Sequence, residues 1–309
     1  MVTVHDQRTR TVIVPELVRT VLVCVAAALL TAGCAGTPHG RPGTLRVVAA
    51  ENVYGNIVSQ IGGSHVFVTS LLSKPNADPH LFEPATADGL AVSPARVVVQ
   101  NGAGYDTFMA RLERAAPNSR RTVLTIADVL GVHGRDANPH LWYDVPRLGA
   151  IASAIAGALG EADPAHAAAY RAGLRRFDAS LGPLRNEVAA IRSAAAGRDV
   201  AATEPVPGYL LAAAGLRDRS PEAFSRAIEN GTEPTPTAVD AMTALVAGRR
   251  VAVLLYNTQT VSPVTARIRS AARAAGVPVV GVSETLPAGL GFQAWQLGQA
   301  TALARALGV

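Results

Sequence analysis

From Leu45 onward, short apolar runs alternate with helical stretches, a pattern that restricts the chain to βα units around parallel sheets. Leu45–Ala50, Val66–Leu72, Val97–Gln100 and Thr122–Ile126 read as strands. Val53–Ile61 reads as a helix, and a second begins near Asp106, after the tight turn Asn101-Gly102-Ala103-Gly104. The texture changes from Pro146 to Gly197, where Ala and Arg dominate and no strand-like run occurs. Asp163-Pro164 is a good helix start. After it, Tyr170, Leu174, Phe177, Leu181, Leu184, Val188 and Ile191 recur at spacings of three or four, which is one apolar helical face. A helix from Pro164 to Ala196 would be about 50 Å long, with a bend or break expected at Gly182-Pro183. The βα texture then resumes. Asp199–Ala202, Val251–Tyr256 and Val277–Val282 read as strands, and Gly208–Ala214, Val264–Ala275 and Phe292–Leu307 as helices. The expected fold is α/β: two lobes, each with a mainly parallel sheet flanked by helices, joined by a long linking helix. The lobes are placed at 45–145 and 197–309, with the linking helical segment at 146–196. A chain of 309 residues that is 49% hydrophobic and 17% charged can bury cores of that size.

The first residues have a different purpose. Thr20–Gly33 is apolar and follows an Arg-containing stretch. It is too short to span a hydrocarbon core of roughly 30 Å comfortably and reads as a secretory signal peptide over residues 1–33. It ends in Leu30-Thr31-Ala32-Gly33-Cys34, which resembles a bacterial lipobox with Thr31 where Leu is usual. Small residues precede Cys34 and a polar Gly/Pro/Thr stretch follows, so Cys34 is expected to carry a lipid and residues 34–44 to act as a tether. A lipid holds a protein at a membrane face without a transmembrane helix. The net charge is +5 and comes almost wholly from arginine, Lys74 being the only lysine. No basic run is interleaved with aromatics, so a nucleic-acid partner is not expected.

Two peptides sixty residues apart echo each other: Asp78-Pro79-His80-Leu81-Phe82 and Asn138-Pro139-His140-Leu141-Trp142. In each, proline stiffens the backbone before a histidine, and the Leu-aromatic pair that follows is a natural core anchor. Neutral imidazole is the commonest metal ligand among side chains, and two presented alike suggest one site. In open α/β sheets, ligands lie beyond the carboxyl ends of strands. Glu204 falls just beyond the strand ending at Ala202, and Glu284 just beyond the one ending at Val282. Two imidazoles and two carboxylates can surround a divalent transition metal. His5, His39, His65, His133 and His166 stand alone and are not expected to be ligands. Asp106 is expected to cap the helix that follows it.

With these residues in place, the chain resembles the metal-binding lipoproteins of bacterial ABC importers for zinc and manganese, the cluster A-I solute-binding proteins. The resemblance runs from about Leu45 to Leu307. It rests on Asp78–Pro84, Asn101–Asp106, Asn138–Trp142, Thr203-Glu204 with Gly208-Tyr209, and Glu233-Pro234-Thr235-Pro236. It implies metal ligation by His80, His140 and Glu204. Glu284 stands at the place where the fourth ligand is usually Asp. It further implies two lobes joined by a long rigid helix, Zn2+ or Mn2+ as the transported ligand, and no enzymatic activity. The implied partners are an ABC permease and its ATPase. The implied location is the outer face of the cell membrane, held there as a monomer by the lipid on Cys34. The chain has no G-x-x-x-x-G-K-[ST] loop of its own for ATP. Two other readings compete with capture and delivery. One is a metal-dependent hydrolase with three protein ligands and an open water position, Glu284 acting as base. The other is a surface adhesin lipoprotein. Metal affinity is expected to fall below roughly pH 6.5, the ordinary histidine value.

Overall fold

Val47, Val48, Val97, Val98 and Val99 are all buried, although successive residues of a strand face opposite sides of a sheet. A strand that is apolar on both faces belongs in a parallel sheet covered by helices on both sides, and that is what the computed structural model shows. It describes residues 43–74, 79–134 and 136–309, with the His80 side chain outside the described set. Residues 1–33, the expected signal peptide, and Cys34 also lie outside the described residues.

The first half runs β1 (Leu45–Glu51), α1 (Asn52–Gly62), β2 (Val66–Leu72), α2 (Thr86–Val92), β3 (Val97–Gln100), α3 (Phe108–Ala115), β4 (Thr122–Thr125) and α4 (Ile126–Leu130). Its sheet has the order β2-β1-β3-β4, parallel throughout. Three helices follow: α5 (Leu148–Ala162), α6 (Ala167–Ser180) and α7 (Gly182–Ala195). The second half runs β5 (Asp199–Ala202), α8 (Gly208–Ala213), β6 (Arg217–Asp218), α9 (Glu222–Glu229), α10 (Pro236–Ala247), β7 (Leu254–Asn257), α11 (Pro263–Ala274), β8 (Val279–Val282) and α12 (Phe292–Leu307). Its parallel sheet has the order β6-β5-β7-β8. The two sheets thus share one topology, and each reverses strand order between its first and third strands. Crevices for ligands form at such switch points. Arg41–Val309 forms one compact unit. No helix among the described residues is long and apolar enough to cross a membrane.

The long helix is broken where Gly182-Pro183 requires it. α6 ends at Ser180, and α7 begins with Gly182 and places Pro183 in its first turn, where proline lacks nothing the helix needs. The start differs from expectation. Pro164–His166 forms a separate 3-10 turn, and the Asp163 carboxylate meets His166 Nδ1 and accepts from the Tyr170 hydroxyl, both at 2.7 Å, rather than capping the backbone. α6 packs on α1 and α5, and α7 packs on α12, so the broken rod touches both halves. Its close approach to α1 depends on Gly173, where a Cβ would stand 2.1 Å from the Ile61 carbonyl oxygen.

The Leu-aromatic anchors behave differently in the two loops. Leu141, Trp142 and Tyr143 are fully buried. In the first loop, Phe82 packs against Phe108, but Leu81 is 78% exposed. Pro79–Leu81 is a 3-10 turn. At three residues per turn its side chains fan out, so buried Pro79 and Leu81 point in different directions.

Candidate metal centre

His140 is fully buried between the halves. Its ring is edge-on to Trp142 and Tyr105, with centroids 5.4 and 5.7 Å away, so an apolar wall sets its orientation. Asn138 sets its protonation. The Asn138 side-chain oxygen accepts from the His140 backbone N–H at 3.0 Å and lies 2.8 Å from Nδ1. A carbonyl oxygen can only accept, so the proton is on Nδ1 and Nε2 faces the cleft. The Asn138 amide nitrogen donates to the Pro205 carbonyl at 2.7 Å, and the Tyr209 hydroxyl donates to the Asn138 carbonyl at 2.9 Å. The second half therefore grips the histidine loop of the first.

Nε2 points at Glu284, 3.2 Å from Oε2. Glu284 is also fully buried. Its Oε1 accepts from Asn257 at 2.7 Å, and Oε2 accepts from the Tyr105 hydroxyl at 2.9 Å. Gln259 fixes the backbone beneath it, its Oε1 accepting from the Glu284 and Thr285 N–H groups at 2.5 and 3.0 Å. Burial and the neighbouring Glu284 push the Tyr105 hydroxyl pKa well up, which keeps it a donor.

Glu204 follows β5 and is buried. Burial, then the charges of Glu284 and Glu229, push its carboxyl up to about 9 against the pull of hydrogen bonds from Asn257 and Thr260. At neutral pH it holds a proton. Burial works against a charged His140, but Glu229 and Glu284 outweigh it and the imidazole pKa is raised. Glu284 and Glu229 both face the imidazole, and in a cluster of buried carboxyls mutual repulsion makes a carboxyl retain its proton.

Behind the histidine loop lies a second buried network. Asn101 donates to the Pro139 carbonyl at 2.8 Å and accepts from the Tyr54 hydroxyl at 2.6 Å. Asp106 does not cap the following helix. Its carboxylate turns back to accept from the Asn101 and Gly102 N–H groups at 2.6 and 2.9 Å. Gly102 has a positive φ of 77° there, and a Cβ would stand 2.5 Å from the Thr125 methyl. Thr107, next in line, has helical dihedrals rather than the extended ones of a cap, which fits a turn pulled backward.

The structure therefore sets His140 against Glu284 and links Glu204 to Glu284 through Asn257, while the His80 side chain lies outside the described residues. Among the described residues no three His, Cys, Asp or Glu side chains stand ready around a single point. His133 is exposed, and His65 and His166 stack on each other away from this cleft, centroids 4.1 Å apart. The sequence reading missed Glu229, whose Oε1 is 3.8 Å from His140 Nε2. It is the last residue of α9, where a carboxylate opposes the helix dipole. An acid in that place is the signal that could have singled it out.

The family model for ZnuA, zinc-uptake complex component A, periplasmic, matches residues 47–306. The chain is 30% identical over 161 residues to the manganese-binding lipoprotein MntA of Halalkalibacterium halodurans, covering 50% of this chain and 53% of that one. It spans about half the length of the curated relatives it matches. Among solved structures, FpvC from Pseudomonas aeruginosa in complex with Mn2+ superposes with a TM-score of 0.73 at 24% identity, covering 86% and 98% of the two chains. A mutant of the laminin-binding adhesin Lmb from Streptococcus agalactiae gives 0.73 at 21%, covering 85% and 99%. These likenesses fit the paired sheets and the broken linking rod described above. By the extent of the family match, this chain belongs to the ZnuA family of periplasmic zinc-uptake components.

Proposed function

We propose that this chain is an extracytoplasmic solute-binding lipoprotein that captures Zn2+ or Mn2+ between its two lobes and delivers it to an ABC permease driven by an ATPase. The ligands in this reading are His80, His140, Glu204 and Glu284. The observation that carries it is the buried His140 Nε2 facing the buried Glu284 carboxylate at 3.2 Å. Asn138 holds the other ring nitrogen, the arrangement by which a second hydrogen bond aims a metal-binding imidazole. Lobes at 45–145 and 197–309 with the segment 146–196 between them belong to this reading. So do the signal peptide at 1–33, the tether at 34–44, lipidation of Cys34 and a monomeric state.

The reading treats the chain as a carrier and not an enzyme. A hydrolytic base needs a carboxylate free to take a proton from water. Both oxygens of Glu284 already accept hydrogen bonds, from Asn257 and from Tyr105. An adhesin role rests only on the likeness in fold to the laminin-binding adhesin Lmb. Equilibrium dialysis with Zn2+ and Mn2+ tests the proposal: the wild-type protein is expected to bind one equivalent, and His140→Ala to lose it. Unchanged binding by His140→Ala would remove this site from consideration.

A further inference from the structure

A polar cleft of about 440 Å3 opens between the halves, lined by Tyr105, Asn138 and Pro139 on one side and by Asp218, Arg226 and Glu229 on the other. Glu229 lines this cleft and lies 3.8 Å from the buried His140 Nε2. Its side chain is 14% exposed, and its Oε2 is buried with no hydrogen-bond partner among the described residues. Arg226, one turn earlier on α9, would be the obvious counter-ion, but it is directed elsewhere. Its Nε meets Glu222 at 2.7 Å, and its other nitrogens cross the cleft to the Asp136 carboxylate at 3.3 Å and the Asp136 carbonyl at 3.2 Å. Glu229 thus ends a helix against the dipole and is largely withdrawn from water, with no Arg or Lys paired to it among the described residues. The group that faces it is the His140 imidazole at 3.8 Å, and a cation beside Nε2 would complete this carboxylate better than that distant ring does.

We infer that Glu229 is a further ligand of the captured cation, the one nearest the cleft, and that it biases the site toward Mn2+ over Zn2+. The inference rests on the metal-capture reading above and deepens it. Glu284 and Glu229 lie 3.2 and 3.8 Å from His140 Nε2, so with Glu204 the reading has three carboxylates, one oxygen donor more than the set of four. Zinc is satisfied by four tetrahedral ligands. Manganese accepts six, prefers carboxylate oxygen and is the weaker binder at most nitrogen and oxygen sites, so an extra carboxylate helps it more.

The test compares wild type, Glu229→Gln and His140→Ala, each titrated with Mn2+ and with Zn2+ against a chelator, and each loaded with Co2+ for its visible spectrum. Glu229→Gln keeps the side-chain volume, and its metal-free melting temperature reports that it is folded. The expected result is a Kd for Mn2+ raised at least about tenfold with a much smaller change for Zn2+. The Co2+ bands should intensify as coordination number falls toward tetrahedral. An unchanged ratio of Mn2+ to Zn2+ affinities, with an unchanged Co2+ spectrum, would overturn the role of Glu229. If His140→Ala loses both metals in that same experiment, only this inference fails. If His140→Ala keeps both, the metal-capture reading fails with it.

Discussion

At the scale of single residues, the buried Glu204 carboxyl dominates the chemistry of the proposed centre. The Glu204 carboxyl is pushed up to about 9, whereas in an unfolded chain it titrates near 4.3. Between those values the folded metal-free protein binds a proton that the unfolded chain has released, so stability falls as pH rises through that window. Glu204→Gln removes the dependence. It should raise the melting temperature of the metal-free protein at pH 8 by at least about 3 °C, with little change at pH 4, while weakening metal binding; scanning calorimetry at both pH values reads the difference. In the proposed reading the Glu204 proton leaves when a cation enters. Affinity should therefore climb with pH up to about 9, the value at which Glu204 ionises, and proton release should be measurable at neutral pH. The fall below roughly 6.5 expected from an ordinary histidine starts higher, because His140 is raised as well. A flat affinity between pH 7 and 9 would contradict this. Asn138 offers a separate check. It aims His140 and ties the loop to Pro205, so Asn138→Ala should cost about 10- to 100-fold in metal affinity without loss of the fold, measured by chelator competition.

At the scale of elements, what the sequence disclosed tracks the strength of local signals. β1, β2, β3, β5 and β8 are short, mostly apolar runs that no helix period explains, and each matches its expected strand to within two residues. β6 is only Arg217–Asp218, both exposed, and a two-residue polar edge strand has no pattern to read. α10 and α11 begin with Thr235-Pro236 and Ser262-Pro263. In both, the hydroxyl accepts from a backbone N–H of the first turn, at 3.3 and 3.2 Å. These are start signals that sequence can show; the apolar pattern adds a helix at Val264–Ala275, matching α11, and none at α10. His140 was legible because Pro139 and Trp142 flank it. Glu229 was not, because a charge on a short amphipathic helix reads as a solvated face. Leu81 misled for the opposite reason: an apolar residue beside a histidine suggests an anchor, and here the turn carries it into solvent. The junction of α6 with α1 yields its own prediction. Gly173→Ala would force a Cβ onto the Ile61 carbonyl, and overpacking of that kind costs about 1–3 kcal/mol. The melting temperature should drop by roughly 3–10 °C with the metal affinity of the surviving folded protein unchanged.

At the scale of the whole molecule, the two halves are stapled along one side. The Asn52 side chain both donates to and accepts from the Leu286 backbone, each at 2.9 Å. Asn56 accepts from the Phe292 N–H at 3.0 Å, and Gln60 pairs with Gln293. The Tyr143 hydroxyl donates to the Ser283 carbonyl or to Gln299, each at 2.7 Å. With α6 and α7 spanning the same side, wide opening of the halves would break many of these bonds at once. Small-angle scattering should therefore show the same radius of gyration with and without Zn2+ or Mn2+; a clear contraction on loading would mean that the staples yield. In the proposed reading, capture then falls to local rearrangement of the loops that carry His140, Glu204 and Glu284 beyond the strand ends, around a cation that displaces the Glu204 proton. Anomalous diffraction from crystals loaded with Mn2+ or Zn2+, collected at the metal edge, examines that directly. One peak is expected between the halves, within about 2.0–2.3 Å of His140 Nε2 and bonded to Glu204 and Glu284. A peak confined to the surface, or none at full loading, would contradict it.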